Sequence, residues 1–168
     1  MIKPYILSAV ILFCAVLIET AILSNIAILP SVPDLLLLCT LYFALQGGKL
    51  SGEINGFISG IFLDFLSGVP FGFNCLYRTL IGYIAGIIGT TFNFYGFFIP
   101  ALFGLFATAT KSLFMWIISI SFPSVSTVYH IATVPFFFEL ACNALLAPLV
   151  FKLLSIFKAQ LVPAQKEV

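Results

Sequence analysis

Gly52-Glu53-Ile54-Asn55-Gly56-Phe57-Ile58-Ser59-Gly60-Ile61-Phe62-Leu63-Asp64-Phe65-Leu66-Ser67-Gly68 places a glycine at every fourth position and then, in the same register, an aspartate. At helical pitch Gly52, Gly56, Gly60 and Asp64 share one stripe. The remaining positions are largely Phe, Ile and Leu. In water each such glycine would weaken a helix by roughly 1 kcal/mol. In lipid a stripe of small residues lets a second backbone approach, and packing rather than hydrophobicity joins the helices. The stretch therefore predicts a close helix–helix contact inside a membrane, with a carboxylate at one end.

Composition agrees with that environment. The 168 residues are 62% hydrophobic and 8% charged, with mean hydropathy +1.21. A soluble domain carries about 25% charged residues, so this chain lacks the polar side chains to cover a water-facing surface. It reads as an all-α integral membrane protein. Its length allows about six spans of roughly 20 residues and leaves no room for a soluble catalytic domain. A net charge of +1 and the absence of a basic cluster give no reason to invoke nucleic acid. Cys14, Cys39, Cys75 and Cys142 each stand alone in apolar runs without a CxxC, as small hydrophobic residues do.

Six apolar segments follow from hydropathy and punctuation. The first covers about 5–27 and ends at Pro30; it is too long for the apolar core of a signal peptide and is read as a retained span. Pro33-Asp34 opens a second segment over about 34–46, which Gly47-Gly48 ends. The third runs over about 51–66 and stops at Ser67-Gly68-Val69-Pro70. The fourth covers about 72–91, the fifth about 97–120 after a turn at 93–96, and the sixth about 130–156 after a loop at 121–129. Residues 1–157 form one transmembrane domain, and 158–168 a polar cytoplasmic tail. With six crossings and the N-terminus inside, Lys3, Lys49, Lys152, Lys158 and Lys166 all lie on the cytoplasmic side, and no outward loop carries Lys or Arg.

Glu19, Asp64, Arg78, Lys111 and Glu139 fall within the expected spans. Each would cost about 2.5–3.5 kcal/mol or more facing lipid, so each is expected to face protein or water. Asp64 and Arg78 flank one outward turn on neighbouring antiparallel segments. Their depths differ by about 6 Å at 1.5 Å per residue, within an arginine's reach. Arg78, Gly82, Gly86 and Thr90 make a second ladder, expected to face the first with Asp64 and Arg78 paired. Glu19, Lys111 and Glu139 lie mid-span and predict an interior cluster, read as a packing clasp, a ligand or ion cavity, or a proton relay. Asp34 is read as a helix start near the outer surface. His130 is expected at the outer interface, with Trp116 and Tyr129 in the outward aromatic belt.

No HExxH, GxSxG or P-loop occurs, and no cofactor or metal pattern is present. Without a nucleophile–base pair the chain is read as a non-enzyme.

The block Pro33-Asp34-Leu35-Leu36-Leu37, then Gly52 to Asp64, then Asp64-Phe65-Leu66-Ser67-Gly68-Val69-Pro70-Phe71-Gly72, then Leu80-Ile81-Gly82-Tyr83 resembles the bacterial rod shape-determining protein MreD family over about residues 33–90. The resemblance implies a multi-pass protein of the bacterial cytoplasmic (inner) membrane that works with MreC, a single-span partner, and other membrane proteins of the elongation machinery linking MreB filaments to lateral peptidoglycan synthesis. It also implies a fold like the substrate-binding component of energy-coupling-factor transporters. Two main readings follow. In the first, a scaffold docks a partner through the glycine stripes and through an outward turn of Ser67, Gly68, Pro70, Phe71 and Gly72, with Phe71 and Phe73 as exposed anchors. In the second, a vitamin-type binder uses Glu19, Lys111 and Glu139, with Asn74 and Asn143. A third, a handler of lipid-linked precursors, would open the same cavity sideways to lipid.

Overall fold

The computed structural model of the chain describes residues 3–27, 29–67, 70–89, 96–121 and 133–161. These contain helices and no strands: α1 Lys3–Leu17, α2 Leu35–Ser67, α3 Phe73–Gly89, α4 Phe98–Ser121, α5 Val134–Ser155 and α6 Lys158–Leu161. Among the described residues, four stretches are long and apolar enough to cross a membrane: Lys3–Asn25, Leu35–Ser67, Phe98–Ile117 and Val134–Ser155.

The exterior is apolar and the interior is not. Ile6, Phe106, Leu145 and Leu149 are each more than half exposed, whereas Asp34, Arg78, Glu139 and Asn143 are almost wholly buried. This distribution suits lipid as the solvent, where a charged group must face protein.

The first helix does not run as one regular rod to residue 27. After Leu17 it widens into a π-helical turn at Ile18–Ile22 and tightens into a 3-10 turn at Leu23–Asn25. Side chains take up carbonyls there: Thr20 Oγ1 donates to Val16 O at 2.7 Å, Asn25 Nδ2 to Ala21 O at 2.7 Å, and the Ser24 hydroxyl to Thr20 O. An irregular stretch containing Pro30 and Pro33 then leads to α2.

α2 has two limbs. At Gly48 the backbone takes φ 78° and ψ −170°, a left-hand φ that glycine adopts without steric penalty. Ser51 Oγ donates to Phe43 O at 3.1 Å, although residues eight apart lie about 12 Å apart along a straight helix. The chain therefore bends sharply where Gly47-Gly48 was expected to end a segment. The first limb, 35–47, is buried on nearly every side: Leu36, Leu37, Leu38, Leu41 and Ala44 are at most 1% exposed. A helix apolar all round belongs in a core, and this limb is the axis of the bundle.

The second limb, 49–67, packs along α3, and α4 packs along α5. A methyl group added at Gly104 would stand 2.9 Å from Asn143 O, so the α4–α5 contact is also close. The segment from Lys158 opens with α6. It contacts α1, and Leu161 is 3% exposed. Parts of the expected turn at 93–96, the loop at 121–129, Tyr129, His130 and Lys166 lie outside the described residues.

Candidate functional site

The bend in α2 and the prolines before it place Asp34 inside the bundle, at the start of a limb about 20 Å long in a hydrocarbon layer of about 30 Å. The helical limb by itself is too short to reach both surfaces, and it begins among other helices. Asp34 is 1% exposed, not at the outer surface as expected. Its Oδ1 caps the limb by accepting from Leu37 N at 2.7 Å, and its own N–H donates to Asn143 Oδ1 at 2.9 Å.

Asp34 joins the buried bases. Arg78 Nη2 donates to Asp34 Oδ1 and Oδ2 at 2.9 and 2.8 Å. Lys111 Nζ bridges Asp34 Oδ2 at 2.8 Å and Glu139 Oε1 at 2.6 Å. The order across the bundle is Arg78 (α3), Asp34 (α2), Lys111 (α4), Glu139 (α5). Two acids and two bases alternate, so each charge borders an opposite one, the arrangement that offsets the loss of hydration. Ser31 Oγ donates to Glu139 Oε2 at 3.4 Å, and Asn143 Nδ2 donates to Thr108 Oγ1 at 3.0 Å. One guanidinium nitrogen, Arg78 Nη1, is buried without a hydrogen-bond partner among the described residues.

Glu19 stands at the edge of this array. The π-helical turn carries it, and its Oε2 accepts from Leu36 N at 3.2 Å. That N–H belongs to the first turn of α2, where the helix dipole favours a carboxylate. Lys111 thus lies between Asp34 and Glu139, rather than between two glutamates as expected.

The expected Asp64–Arg78 pair is replaced by a relay. Asp64 closes the turn between α2 and α3 instead. Its oxygens accept from Gly72 N at 2.9 Å, Asn74 N at 2.9 Å, Asn74 Nδ2 at 2.8 Å and Cys75 N at 3.3 Å. Those N–H groups open α3, where no intrahelical acceptor exists, and so Asp64 satisfies donors that lipid would leave orphaned. From there Tyr77 Oη donates to Asn74 Oδ1 at 3.0 Å, and Arg78 Nε donates to Tyr77 Oη at 3.2 Å. A continuous polar path therefore runs from the turn between α2 and α3 to α5.

The glycines occupy the α2–α3 seam. A methyl group at Gly52 would overlap the Gly82 carbonyl, and one at Gly82 would overlap the Gly52 carbonyl. At Gly56 it would stand 2.5 Å from Arg78 O, at Gly60 2.6 Å from Cys75 N, and at Gly86 2.6 Å from Gly48 O. Backbone meets backbone within this chain along the seam.

In the outward turn, Gly72 has φ +93° and Ser67 Oγ accepts weakly from Asn74 Nδ2 at 3.4 Å. Pro70 O accepts from Phe73 N at 3.2 Å. Gly68 and Val69 lie outside the described residues. Phe71 is 66% exposed and stacks edge-on against Phe65, itself 70% exposed, at 4.7 Å. Phe73 is 9% exposed and packs against Tyr77. It belongs to the core and is not the exposed anchor expected, because it is the first residue of α3 and faces inward.

The family profile described as rod shape-determining protein MreD matches residues 2–157, nearly all of the chain. The chain belongs to the MreD family. No curated protein matches it individually. As an MreD it is a cell shape-determining protein of the bacterial membrane. Sequence reasoning missed the part of Asp34 in this MreD. The available signal was the shortness of the segment that Asp34 opens.

Proposed function

We propose that this chain is a non-enzymatic scaffold of the cell-elongation machinery. It crosses the cytoplasmic membrane six times with both termini inside, and it supports rod shape and lateral peptidoglycan synthesis by docking a single-span, MreC-like partner. The observation that carries the reading is the exposed Phe65–Phe71 pair at the outward turn, held on a turn that Asp64 braces. Exposed aromatic pairs on rigid supports make good anchors for a partner. The glycine seam is occupied within the chain, so a partner docks elsewhere. Leu66 and Leu76, near the pair in sequence, are also exposed, at 47% and 57%.

The vitamin-binder reading draws less support. Asp34, Lys111, Glu139 and Asn143 are bonded to one another or to neighbouring side chains, the pattern of a brace across four helices.

The test is a photo-crosslinking residue in place of Phe71, in the full chain and in native membranes. The expected product is an adduct with a single-span protein carrying an extracytoplasmic domain, accompanied by rounding of rod-shaped cells on depletion. Depletion that leaves shape intact and creates a nutrient requirement would overturn the scaffold in favour of the binder.

A further inference from the structure

At the bundle end where α2 bends, α4 begins and α5 closes, Lys49, Lys152 and Lys158 gather. By the bias of basic residues toward the cytoplasm, this is the inner face. Between the first limb of α2, the start of α4 and the last turn of α5 lies a cavity of about 450 Å³, open to the surface. Its polar lining is Tyr42, Gln46, Lys152, Ser155 and Lys158. No part of it belongs to the buried ion array or to the outward turn.

Tyr42 is the anomaly there. It is 2% exposed, and its ring packs edge-on against Phe151 with centroids 5.5 Å apart. Its hydroxyl is buried with no hydrogen-bond partner among the described residues. Tyrosine hydroxyls that are buried normally find a partner, and an orphaned one is costly. A donor without an acceptor, in a cavity bordered by two lysines, calls for an anion.

The position says where the anion comes from. Tyr42 lies six residues before the bend at Gly48, about 9 Å along the limb at about 1.5 Å per residue, toward the end of the bundle that carries Lys152 and Lys158. Phe97, Pro100, Pro148 and Phe151 give the cavity apolar walls, and Phe98 and Leu149, next in sequence to Phe97 and Pro148, are exposed. A pocket with two lysines and apolar walls, beside exposed apolar side chains, suits a molecule with a charged head and hydrocarbon tails. Basic pockets between helices on the cytoplasmic side are suited to anionic lipid headgroups.

We propose that this cavity binds the phosphate of an anionic membrane lipid, with the Tyr42 hydroxyl donating to a phosphate oxygen and Lys152 and Lys158 supplying the positive charge.

The test uses the full chain purified in neutral detergent. Its unfolding temperature is followed against added phosphatidylglycerol, phosphatidylcholine or inorganic phosphate, since a ligand of the folded state raises that temperature in a concentration-dependent way. Phosphatidylglycerol is expected to give a saturable rise, and phosphatidylcholine and phosphate none. Lys152→Gln should weaken the apparent affinity roughly fivefold, and Lys152→Gln with Lys158→Gln roughly 25-fold. Lys49→Gln, at the same end but outside the cavity, should leave it unchanged. Tyr42→Phe should keep or raise the lipid-free unfolding temperature while weakening phosphatidylglycerol binding. An equal response in the double lysine variant overturns the site. A full response to inorganic phosphate alone overturns the lipid as its occupant. Unaltered affinity in Tyr42→Phe overturns the role of the hydroxyl.

Discussion

Replacing Asp34 by asparagine keeps the side chain's shape and removes the charge that Arg78 and Lys111 share. In the native protein the carboxylate accepts two hydrogen bonds from Arg78 Nη2, at 2.9 and 2.8 Å, and one from Lys111 Nζ at 2.8 Å. Arg78 is 0% exposed and Asp34 1% exposed, so water cannot take over. Lys111 keeps Glu139 at 2.6 Å, and the uncompensated charge falls on Arg78. Breaking a buried pair by removing one partner costs about 3–5 kcal/mol. At roughly 2–4 °C per kcal/mol for a chain of this size, Asp34→Asn should lower the unfolding temperature by roughly 6–20 °C in detergent or nanodiscs. Arg78→Met alone should cost a comparable amount, because it strands part of Asp34. The double variant leaves Lys111 and Glu139 as a balanced pair, and is expected to be more stable than the sum of the single losses by about 0.5–3 kcal/mol. Additive losses would refute the reasoning, since they would mean that Asp34 and Arg78 do not support each other in the folded protein.

The seam and the turn offer two further measurements. Gly82→Ala drives a methyl group into the Gly52 carbonyl. Neither backbone can yield without parting α2 from α3, so the loss should be about 3 kcal/mol or more, at the upper end for overpacking; Gly96→Ala, where no atom lies within 4 Å, should cost only the strain of its positive φ, about 1–2 kcal/mol. Equal effects in thermal unfolding would argue against a backbone seam. Asp64→Ala orphans the N–H groups of Asn74 and Cys75 and should cost about 3 kcal/mol, at about 1–3 kcal/mol per buried unsatisfied group. Asp64→Asn should cost less, because its amide oxygen still accepts. Amide exchange in the first turn of α3 should quicken in Asp64→Ala, and protection there equal to the native chain would contradict the capping role.

The legible parts of the fold were those written in short range. A glycine at every fourth position has few uses in an apolar helix, so Gly52, Gly56, Gly60, Gly82 and Gly86 pointed to a close seam without knowledge of any other contact. Gly47-Gly48 likewise marked the bend, since φ 78° needs a glycine. The charges were harder because their partners are distant in sequence. Asp34 and Lys111 are 77 residues apart, and Asp34 and Arg78 are 44 apart. Depth counting from the turns assumes that every segment starts at a surface. Asp34 opens a limb that starts inside, so the count misplaced it and assigned Arg78 the nearer acid.

Asp64 illustrates the same error from the other side. A carboxylate in lipid need not pair with a cation: the first turn of α3 offers it several N–H donors, which are cheaper partners because they also need an acceptor. Once Asp64 is satisfied by its own turn, Arg78 finds its acid elsewhere, in Asp34 at 2.8 Å. Helix ends and side-chain charges therefore have to be balanced together inside a membrane. Among Asp34, Asp64, Arg78, Lys111 and Glu139, the helix end removes one acid, and the remaining two acids and two bases form a line from α3 to α5. That line ties α2, α3, α4 and α5 to one another at mid-bundle. A protein so cross-braced holds the turn between α2 and α3 still, which would favour the proposed scaffold role, because ordering a mobile surface on binding would subtract from a partner's affinity.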